Sequence, residues 1–163
     1  MGSGSSGLYS GTKGASQPYA PSYHVTSDML QYDKDRGVFL GGHYDKNPTA
    51  KDINSVFHDG KIDRSYDNQK LTYAVDLNGN IIIGKRNGNG KNGLATPHPT
   101  LIGGKDPQVQ VAGIVEIRKG KIYSFDLSSG HYKPNSKSIK AAREAFNKLP
   151  KSYFSKKKKG GKR

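Results

Sequence analysis

Apolar and polar residues alternate over two stretches of this chain, and each stretch turns back on itself. Leu71, Tyr73, Val75 and Leu77 recur at every second position, the period of a strand with one face toward a core. Asn78-Gly79, a strong hairpin turn, follows, and Asn80 to Gly84 resumes as a partner strand. Leu71, Tyr73 and Val75 are expected on one face, with Thr72, Ala74 and Asp76 on the other. The second stretch runs through Val111, Ile114 and Glu116, turns at Lys119-Gly120 and returns through Ile122 and Ser124. It predicts a second antiparallel pair. Ser22 to Val25 and Gly37 to Leu40 predict two further short strands. Thr49 to Phe57 predicts a helix that opens at Pro48 or Thr49 and ends at Asp59-Gly60. Ile139, Ala142, Ala145, Phe146 and Leu149 share a helical face. They predict a helix from Ile139 to Leu149, capped by Ser136 or Ser138 and stopped by Pro150. The fold class expected is α+β: a small antiparallel sheet of four to six strands with one or two packed helices.

Composition divides the 163 residues. Residues 1–7, Met-Gly-Ser-Gly-Ser-Ser-Gly, read as an expression tag. Residues 8–21, rich in Ser, Gly, Tyr and Pro, read as a flexible lead-in. Residues 22–150 are expected to form one catalytic domain, and residues 151–163 a basic, disordered tail. With no cysteine, neither disulfides nor cysteine-ligated zinc can stabilise the chain. No apolar run reaches the roughly 20 residues that a bilayer-spanning helix needs, and no signal peptide is read.

Charge is unevenly placed. Of 27 Lys and Arg, 12 lie in residues 133–163 against a single acid, Glu144, so this end carries +11 of the net +14. Such a basic arm suits RNA, DNA, an anionic membrane face or the acidic surface of a tight inhibitor protein. A solvated tail without a partner is the plain alternative.

Two polar clusters bracket the second hairpin. His98 and Thr100 precede it, and Ser129, His131 and Tyr132 follow it. A hairpin returns the chain to its start, so these five are the candidate catalytic residues. A pair of histidines suits general acid–base chemistry near neutral pH, with one imidazole accepting a proton and the other donating. Attack of a ribose 2′-hydroxyl on its own phosphate needs such a pair, together with a cation for the developing charge. Lys85, Arg86, Arg118 and Lys133 are the candidate substrate-binding cations. The loop from Gly84 to Lys91 could hold phosphates through backbone N–H groups, although no Gly-Lys-Ser/Thr opens a helix there as in a Walker loop. No metal is expected, since the histidines lack the close spacing of a metal motif. Gly42-His43-Tyr44 echoes Gly130-His131-Tyr132, an echo that a Gly- and Tyr-rich chain produces readily by chance.

These residues also carry a resemblance. Tyr73-Ala-Val-Asp-Leu-Asn-Gly-Asn-Ile, His98-x-Thr-Leu-Ile-Gly-Gly, Ala112-Gly, Gly120-x-Ile and Ser129-Gly-His-Tyr-Lys-Pro occur in this order. The series resembles a module of the plant IQ-motif calmodulin-binding proteins and their fungal relatives, and of the variable C-terminal tips of bacterial polymorphic toxins. It spans about Leu71 to Leu149, and its Ser-Gly-His-Tyr-x-Pro element is fairly specific. The chain departs at Pro99, where the plant form has Ser, and at the shorter Ile102-Gly103-Gly104. It has no IQ motif, so calmodulin binding does not carry over. Small size and a basic end are closer to a toxin tip. That resemblance implies a monomeric toxin, secreted or delivered into a target-cell cytoplasm and countered by an acidic immunity protein. It implies no particular reaction.

Three functions stay open on these residues. One is metal-independent cleavage of RNA, tRNA included, by His98 and His131 without a cofactor. Another is NAD chemistry, as an ADP-ribosyltransferase or glycohydrolase, for which only Glu116 and Glu144 are available as a catalytic glutamate. The third is a binding module without chemistry.

Overall fold

The computed structural model describes residues 22–87, 90 and 93–156. The tag, the lead-in, residues 157–163 of the basic tail and residues 88, 89, 91 and 92 of the Gly- and Asn-rich loop lie outside the described residues. Helix α1 (Ser27–Asp35) comes first. A short hairpin of β1 (Phe39–Leu40) and β2 (His43–Tyr44) follows, joined by Gly41-Gly42. Both glycines have positive φ, 67° and 83°, as a two-residue turn between twisted strands requires. Next come β3 (Lys51–Asp52), β4 (Phe57–His58) and β5 (Lys61–Ile62). The two long hairpins are β6 (Lys70–Val75) with β7 (Ile81–Lys85), and β8 (Val111–Arg118) with β9 (Lys121–Phe125). Helix α2 (Ile139–Asn147) closes the domain.

The architecture is α+β, with a five-stranded antiparallel sheet in the order β3-β7-β6-β8-β9. The Asn78-Gly79 turn closes as expected, and Asp76 adds a device of its own: its carboxylate accepts the N–H groups of Asn78 and Asn80. Lys119 and Gly120 form the second turn, both at positive φ. Their N–H groups donate to the side chains of Asn68 and Asp67.

The helix expected over Thr49 to Phe57 is not formed. That segment is β3, one 3-10 turn at Ile53–Val56 and the start of β4. Asp52 accepts the N–H of Asn54, and Ile53, Val56 and Phe57 all enter the core. Tertiary burial of three β-branched or aromatic residues outweighs a weak helical preference. Conversely, α1 went unpredicted, because Ser27–Asp35 is mostly polar and lacks an apolar stripe. Ser22 to Val25 contributes only a bridge between Tyr23 and Val109. Past Pro150 the chain continues in the fold. Lys151–Tyr153 make a 3-10 turn, Tyr153 stacks on Phe57 at 4.0 Å and Phe154 pairs with Ile122.

Both faces of the sheet are buried. On one, Leu71, Tyr73 and Val75 meet Ala142, Ala145 and Phe146 of α2 and Leu149 just beyond it. Phe146 stacks on Phe125 at 4.1 Å and meets Tyr73 edge-on at 5.1 Å. On the other, Ala74 and Ala112 pack with Leu101, Val109 and Tyr132. Small residues there let loops lie close to the sheet: a Cβ on Gly84 would stand 2.7 Å from Leu101 Cδ2. This second face carries the histidines.

Candidate functional site

Four segments converge on the small-residue face. The Pro97-His98-Pro99 triplet starts a 3-10 turn, His98–Leu101, whose φ angles proline pre-sets. Thr100 completes the turn, its N–H and hydroxyl both donating to the Pro97 carbonyl. Gly103 and Gly104, at φ 76° and 94°, lead the chain out, and Gly104 exchanges backbone hydrogen bonds with Tyr44. The Ser129-Gly-His-Tyr-Lys element is one turn. Lys133 N–H donates to the Ser129 carbonyl at 2.7 Å, and Tyr132 N–H donates to Ser129 Oγ at 3.3 Å. Thr26 N–H donates to the His131 carbonyl, which docks the start of α1 onto this turn.

Asp33, fully buried on α1, is the hub. Its Oδ2 accepts His131 Nε2 at 2.9 Å and the Tyr44 hydroxyl at 2.7 Å. Its Oδ1 accepts Arg36 Nη2 at 2.8 Å and Nε at 3.1 Å. Burial works against charge on Asp33, but the hydrogen bonds from His131, Tyr44 and Arg36 outweigh it and hold the carboxyl below its usual range. Burial and the neighbouring carboxylate push the Tyr44 phenol up, so it stays a donor. With only an acceptor opposite, His131 Nε2 carries the proton.

His98 is held differently. Its Nε2 donates to the Gly113 carbonyl at 2.7 Å. Burial pushes its pKa down to about 4; the bond to Gly113 opposes this, and charge on His131 and Arg86 adds to it. His98 is therefore neutral at physiological pH, with Nδ1 as an acceptor. Gly113 admits no side chain, because a Cβ would collide with the Asp126 carbonyl. Asp126 folds over this point, its Oδ1 accepting the N–H groups of Ile114 and Ser128.

His98 and His131 lie within electrostatic reach of each other. Thr100, Ser129 and Tyr132 flank them, but their polar atoms serve the fold: the Tyr132 hydroxyl donates to the Pro107 carbonyl, and the other two close their turns. Of the four expected cations, Arg86 lies near His98. Lys85 Nζ sits over the Tyr66 ring. Lys133 faces Asp28 at 4.0 Å. Arg118 is five residues along β8 from Gly113, roughly 16 Å of strand, where it binds Glu116 and stacks on Tyr123. Sequence reasoning missed Asp33, Arg36 and Tyr44. One signal pointed to Tyr44: the Gly-His-Tyr echo supplies the two groups, Tyr44 and His131, that share Asp33 Oδ2.

An open pocket of about 280 Å³ adjoins this cluster. Val38, whose N–H donates to the Asp33 carbonyl, and Thr100 form part of its wall. His43, Asp45 and Lys46 also line it. Neither His98 nor His131 lines it. No helix among the described residues is long and apolar enough to cross a membrane. Comparison with protein-family models, curated proteins and solved structures finds no match to this chain.

Proposed function

We infer that this domain cleaves RNA without a metal, by general acid–base catalysis at His98 and His131, and that it acts as a toxin effector. The observation that carries the reading is the unequal environment of two histidines within electrostatic reach of each other. His98 is kept neutral with Nδ1 as an acceptor, which suits a base taking the ribose 2′-proton. His131 Nε2 is held by the Asp33 carboxylate at 2.9 Å, which fixes the ring's orientation and suits an acid protonating the leaving 5′-oxygen. Arg86 supplies a positive charge near the same point for the phosphorane. The net charge of +14 fits a polyanionic substrate and equally an acidic immunity protein acting in the target cell.

One observation favours a non-catalytic binding module instead: every site side chain already has a partner inside the fold, and His98 and His131 are only 7% and 8% exposed. The NAD reading gains no such support. Glu116 is engaged by Arg118, and Glu144 is exposed on α2, beyond the opposite face of the sheet.

Incubation of the purified chain with total RNA, and separately with NAD, divides the readings. Cleavage that persists in EDTA and leaves cyclic phosphate ends is expected, with a bell-shaped pH dependence. His131→Ala should lower the rate by roughly 10²–10⁴-fold in a folded protein. Cleavage that survives His131→Ala, or that EDTA abolishes, rejects the mechanism; intact RNA with intact NAD leaves the binding module.

A further inference from the structure

The exposed His43 was outside the site argued above, yet it has the better access to solvent. It stands at the end of the β1–β2 hairpin, about half exposed, with Nε2 held by Asp45 Oδ1 at 3.0 Å. The Gly41-Gly42 turn leaves room beside its ring: a Cβ on Gly41 would sit 3.8 Å from Cε1. Around it, the pocket has two kinds of wall. Val38, Leu40, Leu94 and Ala95 are apolar, while His43, Asp45 and Lys46 are polar, with Asp45 anionic and Lys46 cationic. Leu40 is 69% exposed, the most exposed of the three large apolar side chains standing open to solvent among the described residues. An apolar side chain left open at a pocket mouth is unfavourable in water unless something covers it.

We propose that this pocket binds one nucleotide unit of RNA, its base against Leu40, Leu94 and Ala95 and its phosphate at Lys46 and His43. The inference rests on the ribonuclease reading for the choice of RNA as the source. The pocket is close to the volume range of small-ligand sites, and a planar base needs apolar surface on its faces with a few polar groups at its edge. The backbone around Gly41 is the part of the lining that can meet a base edge, since the Thr96 and Thr100 hydroxyls donate to the Arg86 and Pro97 carbonyls. Lys46 supplies the positive charge for the phosphate, beside the hydrogen-bonded His43–Asp45 pair.

The test is an NMR titration of the full chain with the four ribonucleoside monophosphates, the matching nucleosides, inorganic phosphate, an RNA dinucleotide and NAD. Monophosphates should shift the His43 ring and Ala95 methyl resonances with dissociation constants in about the millimolar range. Nucleosides should bind more weakly, and phosphate alone should leave Ala95 unmoved. Lys46→Ala should remove the advantage of the monophosphate over the nucleoside. Ala95→Trp, at an exposed position, should abolish binding of both while the rest of the spectrum keeps its dispersion; Leu40→Ala, which adds no bulk, should weaken both by about threefold or more. Unchanged affinity in Ala95→Trp and Leu40→Ala, or phosphate shifting both residues as strongly as a nucleotide, would overturn the proposal. NAD binding about tenfold or more tighter than the RNA dinucleotide would overturn its RNA source. RNA left intact by a chain that binds nucleotides in this way would reject the ribonuclease reading and keep the pocket. RNA cleaved by a chain that binds none would do the reverse.

Discussion

The two faces of the central strand β6 are both buried, and they are built from opposite materials. The face toward α2 is made of large side chains: Leu71, Tyr73 and Val75 against Phe146 and Phe125. The other has Thr72 and Ala74, next to Ala112 of β8 and Gly84 of β7. Large apolar residues on the first face gain roughly 1.5–3 kcal/mol each by leaving water, and they make that side the source of stability. Small residues on the second contribute little area. They let the turns carrying His98 and His131 approach the backbone closely enough for His98 to bond a strand carbonyl. The lesson is that one strand divides its labour by side: one face holds the domain together, and the other gives polar groups a dry, fixed position.

Substitutions that strike one face alone test this division. Phe146→Ala should be the costliest for stability, at about 3–5 kcal/mol by denaturant unfolding, with the rate of the proposed RNA cleavage per folded molecule unchanged. A fall in rate beyond the folded fraction would break the separation of the faces.

Asp33→Ala strikes the other side. It leaves His131, Tyr44 and Arg36 without their common acceptor. A loss approaching the same 3–5 kcal/mol is expected, because the partners of a broken buried charge cluster stay behind. Unlike Phe146→Ala, it should also abolish most activity. A stability change below about 0.5 kcal/mol would show that the hub is not stabilising.

Acidity separates the faces without mutation. His98 has a folded pKa near 4 against the usual 6.5, so between those values the unfolded chain binds a proton that the folded one does not. Its contribution is complete above pH 6.5, falls as pH drops toward 4 and changes no further below. The difference is worth about 3 kcal/mol. The lowered Asp33 acts in a lower window, stabilising above its usual 3.8 and losing that effect below it. His98→Asn should flatten the stability profile between pH 6.5 and 4 and leave the more acidic part in place. An unchanged profile would assign the pH response elsewhere.

The smallest effect sharpens the roles within the polar face. Ser129→Ala and Thr100→Val each remove one turn-closing hydrogen bond. About 1 kcal/mol of stability and less than a tenfold change in rate are expected. A loss as large as that of His131→Ala would promote either hydroxyl to a catalytic group.

What could be read from the residues in order was local. The period of two in Leu71, Tyr73 and Val75, the Asn78-Gly79 and Lys119-Gly120 turns, and the apolar stripe of α2 each express a conformational preference that neighbours in the chain impose. They sufficed for the α+β class and the hairpins, because a hairpin must return to its origin. Tertiary structure alone decided the rest. Thr49 to Phe57 became a strand and a 3-10 turn because Ile53, Val56 and Phe57 are buried by distant residues. Asp33 became the hub although its surroundings in the sequence are an ordinary polar helix. Its partners Tyr44 and His131 lie 11 and 98 positions away, and a buried carboxylate is stable only where such donors converge. That convergence is a property of the packed chain, which no local pattern encodes.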